Sequence, residues 1–372
     1  MNDIGERLES LYLECLPPDQ HPQRQVHPQD EMYLWAGDLG VPPPQRRLQY
    51  MAAGREILLM LRHIVQSAGL QLSEMKAVLD FASGFGRVTR HLCYETRASH
   101  VWCSDALHDA MDWLGTEFGV HTIPSHPNPN DVDLQRKYDL IWVGSLFTHL
   151  PRKRFGPWLA KLLGALEPKG LLIFTTHADV YCPSDQRDSS GFSFVRESES
   201  RALSLDEYGT TYLTPEALRN IAREIGIQHL YSVPSEAWGR HDVQVVSHRS
   251  RKALEQLAHA PRILGAILRS EVRATGHGWV GGWAIAAPSD PLEAIELRVP
   301  GLPPTPAILG PSRAHDRGSF LHCEWYVEGP LNMLRKGQHP LLAVGRMASG
   351  REICFDGCAL EIPGSLENMA AT

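Results

Sequence analysis

The chain has 372 residues, 43% of them apolar and 21% charged, and a net charge of −7. This is the composition of a soluble globular protein of two or three domains. It has no run near the roughly 18–20 apolar residues of a membrane span and no long basic run for a general nucleic-acid surface.

The opening "MNDIGERLES" has neither a basic n-region nor an apolar h-region, so no secretory leader is expected. Residues 1–42 read as a mixed extension: "IGERLESLYLECL" has helical spacing, and "PPDQHPQRQVHPQDE" is a polar, proline-rich loop. "RRLQYMAAGREILLMLRHIVQSAGL" is an amphipathic helix ending near Gly69. From residue 77, short apolar runs alternate with helical segments. "AVLDFA", "HVWCSD", "YDLIWVGSLF" and "LLIFTTH" are strand candidates. "RVTRHLCYE", "LHDAMDWLGTEF" and "RFGPWLAKLLGALEPKG" are helices, the last stopped by Pro168 and Gly170. This alternation predicts a parallel sheet with helices on both faces.

Residues 180–208 are polar and irregular, and an insertion of that kind after a sheet strand often covers a site. In "TYLTPEALRNIAREIG", Thr214 is the expected N-cap, Pro215 takes the first helical position and Gly226 stops the helix. "IQHLYSVP" and "HDVQVVSHR" predict two late antiparallel strands. Residues 251–270 read as a helical linker kinked at Pro261. From 271 to 364, short strands divided by Gly and Pro turns predict a separate all-β, sandwich-like domain. The seven cysteines are scattered without a C-x-x-C pair, which disfavours a disulfide framework or a zinc site and suits a cytoplasmic protein.

The stretch "VLDFASGFGRVTRHL" (78–92) is a strand, a glycine turn and a helix, and it admits three readings. One is a tight βα turn without a ligand. The second is a dinucleotide fingerprint, but the register Gly84, Gly86, Thr89 lacks its third glycine. The third is a nucleoside loop for a cofactor without phosphates, such as S-adenosylmethionine. In that reading Asp80 pairs with the ammonium group, while Ala82, Ser83, Gly84 and Gly86 let the backbone approach the amino-acid tail. The helix N-terminus near Arg87 then receives the tail carboxylate. Asp105, at the end of the second strand, suits a ribose diol, since ligands of open parallel sheets collect at the carboxyl ends of the strands.

"LDFASGFGR", "WCSDALHDAM", "YDLIWVGSLFTHLP", "LEPKGLLIFTTH" and "YGTTYLTPEALRNIAREIG" together resemble class I S-adenosylmethionine-dependent methyltransferases over residues 43–250. The resemblance implies an α/β, Rossmann-like seven-stranded sheet whose last two strands form an antiparallel hairpin. The family's first loop glycine is Ala82 here. Tyr50 and Gly54 resemble an aromatic–small pair that covers the cofactor in this family.

Methyl transfer from a sulfonium is an in-line displacement that depends chiefly on alignment, and a base is needed only where the acceptor must lose a proton. Gly144 and Ser145 stand where the chain leaves the fourth strand, on the cofactor side. His149, a turn later, and His177, after the fifth strand, are the candidate catalytic bases, and Tyr208 and Tyr212 are candidate acceptor contacts. No metal site is expected. The expected partner is a small-molecule or glycan acceptor, with no nucleic acid. "GWVGGWAIA" and "SRAHDRGSF" resemble small β modules appended to bacterial glycosyltransferases and methyltransferases. Trp279, Trp283 and Trp325 are there either sugar-stacking residues or core. A catalytically silent cofactor fold and an NAD-dependent oxidoreductase are the alternative functions.

Overall fold

A computed structural model describes residues 12–13, 21–41, 43–198, 200, 203–238, 241–249, 263–272, 277–286, 290–314, 321–330, 334 and 336–362. The chain forms two compact units, one of Pro22–Leu34 and Gly54–His259, the other of Met1–His21, Trp35–Ala53 and Ala260–Thr372. Helices α1 (Glu31–Asp38) and α2 (Pro43–Ser67) each contribute residues to both.

In the first unit, β1 (Val78–Phe81), β2 (Val101–Asp105), β3 (His121–Pro124), β4 (Tyr138–Val143) and β5 (Leu166–Ala178) are parallel, in the order β3-β2-β1-β4-β5. β9 (His241–Val246) adds antiparallel to β5, and β8 (Tyr231–Ala237) antiparallel to β9. These seven strands, with their terminal hairpin, are the arrangement that the resemblance implied, within a sheet of nine strands. The connecting helices are α3 (Thr89–Thr96), α4 (His108–Phe118), α5 (Arg152–Gly164) and α6 (Pro215–Glu224). All four residues of β1 are buried, Asp80 among them, as expected of a strand covered on both faces. Leu79, Phe81, Ile141, Val143 and Phe174 share one cluster with Phe155, Trp158 and Leu162 of α5 and Leu218 and Ile221 of α6. In α6, Thr214 accepts the Ala217 N–H at 3.1 Å, Pro215 follows it, and Gly226 stands beyond the end at φ 83°.

Three sequence expectations are corrected here. Helix α5 ends at Gly164, and Pro168 and Gly170 lie in β5. They fall where the β4–β5 register slips between Tyr138 and Leu140, so the proline owes no ladder hydrogen bond. The insertion at 180–208 is not wholly irregular. It carries β6 (Phe192–Val195), which pairs with β7 (Thr210–Leu213), itself parallel to the end of β5. Third, Ile263–Ser270 is strand, not helical linker.

That strand, β10 (Ile263–Val272), opens the second unit's sandwich. Short apolar runs do not distinguish helix from strand by period. Gly265 supports the strand, because a Cβ there would lie 2.5 Å from Trp283 O and 2.7 Å from the Phe355 ring. Residues 251–262, Pro261 included, lie outside the described residues, as does most of "IGERLESLYLECL". β11 (His277–Ala286) and β16 (Leu321–Pro330) complete one sheet with β10, and the short β14 (Ile308–Leu309) and β15 (Arg313–Ala314) pair with β16. The other sheet runs β13 (Thr305–Pro306), β12 (Leu292–Arg298), β17 (Gly337–Met347), β18 (Glu352–Ile362). Trp325 is 2% exposed and meets Phe355 edge-on, so it is core. Trp279 and Trp283 are half-buried. Asp356 of β18 accepts the Ile267 N–H at 2.7 Å and the Gln49 side-chain amide at 3.3 Å.

Candidate active site

The chain leaves β1 leftward to β2 and β3, then returns to place β4 on the other side. That reversal opens a crevice at the carboxyl ends of β1, β2 and β4. The loop after β1 fills it. Ala82 has φ 59°, Gly84 φ 53° and Gly86 φ 86°, so the loop turns through the left-handed region three times. Alanine adopts this conformation at a cost of about 1–2 kcal/mol, which explains why a glycine suits position 82. The turn is tied to β2: Ala82 N–H donates to Ser104 O at 2.7 Å. Asp105 holds the next step. Its Oδ2 accepts the Gly84 N–H at 2.8 Å and its Oδ1 the Leu107 N–H at 2.9 Å. Burial raises the Asp105 carboxyl even so, ahead of these backbone donors that lower it.

Asp80 is 2% exposed. Burial pushes its carboxyl up to about 7, while the Thr89 hydrogen bond and the Arg87 charge pull the other way. Thr89 Oγ1 donates to Asp80 Oδ2 at 2.7 Å. Thr89 is the residue standing where a dinucleotide fingerprint has its third glycine. Its hydroxyl fixes a carboxylate here, and a carboxylate repels a pyrophosphate.

The cleft above this loop encloses about 1500 Å³, its open mouth included. Of the residues expected from sequence, Asp80, Ala82, Ser83, Gly84, Arg87, Asp105, Gly144 and Ser145 line it together. Gly86 does not. A Cβ there would come within 2.6 Å of Leu114, so this glycine serves the packing of the loop on α4. Ser145 stands at φ 65° with its N–H on Thr175 Oγ1 at 2.8 Å. A Cβ at Gly144 would press to 3.2 Å on both Trp142 and Trp238.

Neither histidine expected as a base reaches the cleft lining. His149 is 4% exposed, donates Nδ1–H to Gly209 O at 2.7 Å and stacks on Tyr208 at 4.4 Å. His177 lies on the β5–β9 register opposite His241, their Nε2 atoms 3.0 Å apart, and stacks on Tyr212. Position along the chain suggested the cleft edge for both, but the β6–β7 hairpin and β9 take up their rings. Tyr208 lines the cleft and Tyr212 does not.

Sequence reasoning missed several lining residues. Asp30, Glu31 and Met32 come from the proline-rich N-terminal stretch. Trp238, from the turn between β8 and β9, lies under the Arg87 guanidinium at 4.6 Å and donates its backbone N–H to Glu56 at 3.0 Å. Arg154 Nε donates to Glu207 Oε2 at 2.9 Å, and Lys153 pairs with the same carboxylate. Glu207 sits below its ordinary range because of these two cations. The only available signal was amphipathic: Arg154 lies on α5 a turn before Trp158, which also lines the cleft.

No protein-family model and no curated protein matches the chain. Among solved structures it is similar to Streptomyces venezuelae DesVI, with 16% identity and TM-score 0.42, over 60% of this chain and 100% of that one. It is similar to an S-adenosylmethionine-dependent methyltransferase from Clostridium acetobutylicum ATCC 824, with 14% identity and TM-score 0.38, over 54% and 92% of the two chains. A DhpI–SAH complex has 18% identity and TM-score 0.34, over 46% of this chain and 78% of that one.

Proposed function

We propose that the protein is an S-adenosylmethionine-dependent methyltransferase acting on a small-molecule acceptor. The observation that carries this reading is the pair Asp80 and Asp105 at the ends of neighbouring strands, around a loop turned by left-handed residues. A dinucleotide would bring its phosphate charges against Asp80 beside the loop, whereas Asp105 suits the ribose of either cofactor. S-adenosylmethionine brings a sulfonium and an ammonium, with one tail carboxylate for Arg87. Asp105 then accepts from the ribose while still anchoring Gly84.

The remainder of the cleft is formed by Leu146, Leu150, Trp158 and Tyr208, with the Arg154–Glu207 pair. Apolar walls with few polar groups suit a small acceptor. A saccharide is the narrower form of this proposal: Trp158 and Tyr208 offer ring faces and Glu207 an acceptor for hydroxyls. With both histidines outside the lining, alignment of donor and acceptor is the catalytic contribution this site makes. The chain divides into a methyltransferase unit and a β sandwich, and the free thiols at Cys93, Cys103, Cys182, Cys323, Cys354 and Cys358 fit a cytoplasmic setting.

Calorimetric titration with S-adenosylmethionine and, separately, NAD tests the cofactor; binding of NAD alone would overturn the reading. Transfer of a labelled methyl group to extract components would identify the acceptor class.

A further inference from the structure

Residues Pro22–Leu34 group with the α/β unit, although the chain on both sides of them belongs to the other. A polar segment rich in proline has little apolar surface to hold it in place, so its fastenings define what it is for. Arg90, in the first turn of α3, is 1% exposed. Its Nε donates to Gly86 O at 3.1 Å, and its Nη1 donates to Gln23 O at 2.6 Å and Gln25 O at 2.9 Å. The guanidinium also faces the Phe118 ring at 5.3 Å. One buried cation thus ties the glycine loop to the segment through main-chain carbonyls, which a planar fork of donors can bridge and an ammonium cannot match. A second fastening lies two residues on. His27 stacks flat on Phe85 of the glycine loop, 4.3 Å between centroids and 5° between planes, and meets Trp113 edge-on at 4.9 Å.

Beyond these points the segment turns into the cleft. Asp30 N–H donates to His27 O at 3.1 Å, and Asp30 Oδ1 accepts the Tyr33 N–H at 3.0 Å, starting α1. Asp30, Glu31 and Met32 then line the cleft. Glu31 accepts from Ser200 Oγ at 3.2 Å, so it joins the segment to the insertion after β5. Its charge also reaches Asp105.

We infer that Pro22–Leu34 is a strap forming one wall of the cofactor site, with Arg90 as its positioning residue and Glu31 as a further acceptor of hydrogen bonds from the cofactor's nucleoside. The inference rests on the methyltransferase reading above. Both fastenings end on the glycine loop, at Gly86 and Phe85, so the strap and the loop that receives the cofactor are set as one piece. Glu31 lines the cleft together with Asp105, where it would accept from hydroxyl or amine donors of a bound nucleoside.

The test uses the full chain and S-adenosylhomocysteine as probe. Arg24 is exposed and within the strap, so trypsin cleavage after it reports strap order. In the wild type, saturating probe should slow that cut at least fivefold. Arg90→Met should weaken probe binding at least tenfold and abolish the protection, and Arg90→Lys should recover only part of both. Glu31→Gln should weaken binding about fivefold while leaving cleavage of the free protein unchanged, a split that a merely structural role does not produce. Should Arg90→Met not fold, His27→Ala carries the same expectation of lost protection. Wild-type binding without protection at Arg24, or wild-type affinity in both Glu31→Gln and the Arg90 or His27 variant, would overturn the strap. A wild type that binds neither this probe nor S-adenosylmethionine would instead overturn the underlying reading, and the strap's role with it.

Discussion

In the proposed reading Asp80 pairs with the cofactor's cation, and its protonation has two consequences. Its carboxyl is raised from 3.8 to about 7 by burial. Between those values the native state holds a proton that the unfolded chain has released, so stability falls as pH rises through this window. The difference corresponds to about 4 kcal/mol, present below pH 4 and lost above pH 7. Asp356, raised to about 6 by burial, adds a smaller loss in the same direction. The Asp80 part is therefore isolated by difference: Asp80→Asn should raise the stability of the cofactor-free protein at pH 8 by up to about 4 kcal/mol and change it little at pH 4. Asparagine still accepts from Thr89, so the packing is kept.

A cofactor cation at Asp80 binds the ionised form. Below pH 7 binding must expel the proton. With the bound carboxylate held ionised, affinity should fall about eightfold from pH 7.5 to pH 6, with about 0.9 proton released per cofactor at pH 6. Calorimetry in two buffers of different ionisation enthalpy measures the proton count directly. Asp80→Asn should bind weakly at pH 7.5 and show a flat profile. Affinity independent of pH in the wild type, or wild-type affinity in the variant at pH 7.5, would refute the pairing.

Asp105→Ala should lower S-adenosylmethionine affinity by about 2–3 kcal/mol, since the ribose and the Gly84 N–H both lose a charged acceptor; calorimetry on the folded variant checks it. Gly84→Val should abolish binding. No atom lies within 4 Å of an added Cβ, so denaturation should report only backbone strain of about 1–2 kcal/mol. His177→Asn should leave turnover within about threefold, because its ring lies against His241 and Tyr212 and not in the cleft; a loss of about 100-fold would restore it as a base. A chain ended near residue 250 should fold poorly, as Gln49 loses Asp356 and Leu48 loses its contact at Gly357; a cooperative thermal transition matching the full chain would contradict this.

The α/β core was legible because each of its signals is local. A strand buried on both faces shows as an apolar run, as in "YDLIWV", and the cap Thr214–Pro215 marks a helix start without help from elsewhere. The limits were equally physical. "RILGAIL" fits helix and strand alike until Phe355, some ninety residues away, fixes Gly265 against it. The assignment of residues 35–53 to the β unit has no local signature, since α2 reads as one amphipathic helix throughout.

The site divides the same way. The edge formed by the loop after β1 came from strand ends and left-handed positions, which sequence marks with Gly and Asp; even Ala82, which breaks the pattern, keeps the backbone of a glycine at φ 59°. The walls came from contacts between distant segments, and there proximity in sequence misled. His149 and His177 follow strands that do end at the cleft, yet the buried ring of the first turns to Gly209 and the half-buried ring of the second to His241, each taking a near partner. Conversely, the polar N-terminal loop supplied Glu31 with no sign beyond its charge. The clue that ties it in was Arg90, a cation on the buried face of a short helix. An arginine in that position needs acceptors from outside its own helix, and finds them at Gln23 and Gln25. Read that way, a charged residue where a helix should be apolar is a pointer to the missing wall of the site.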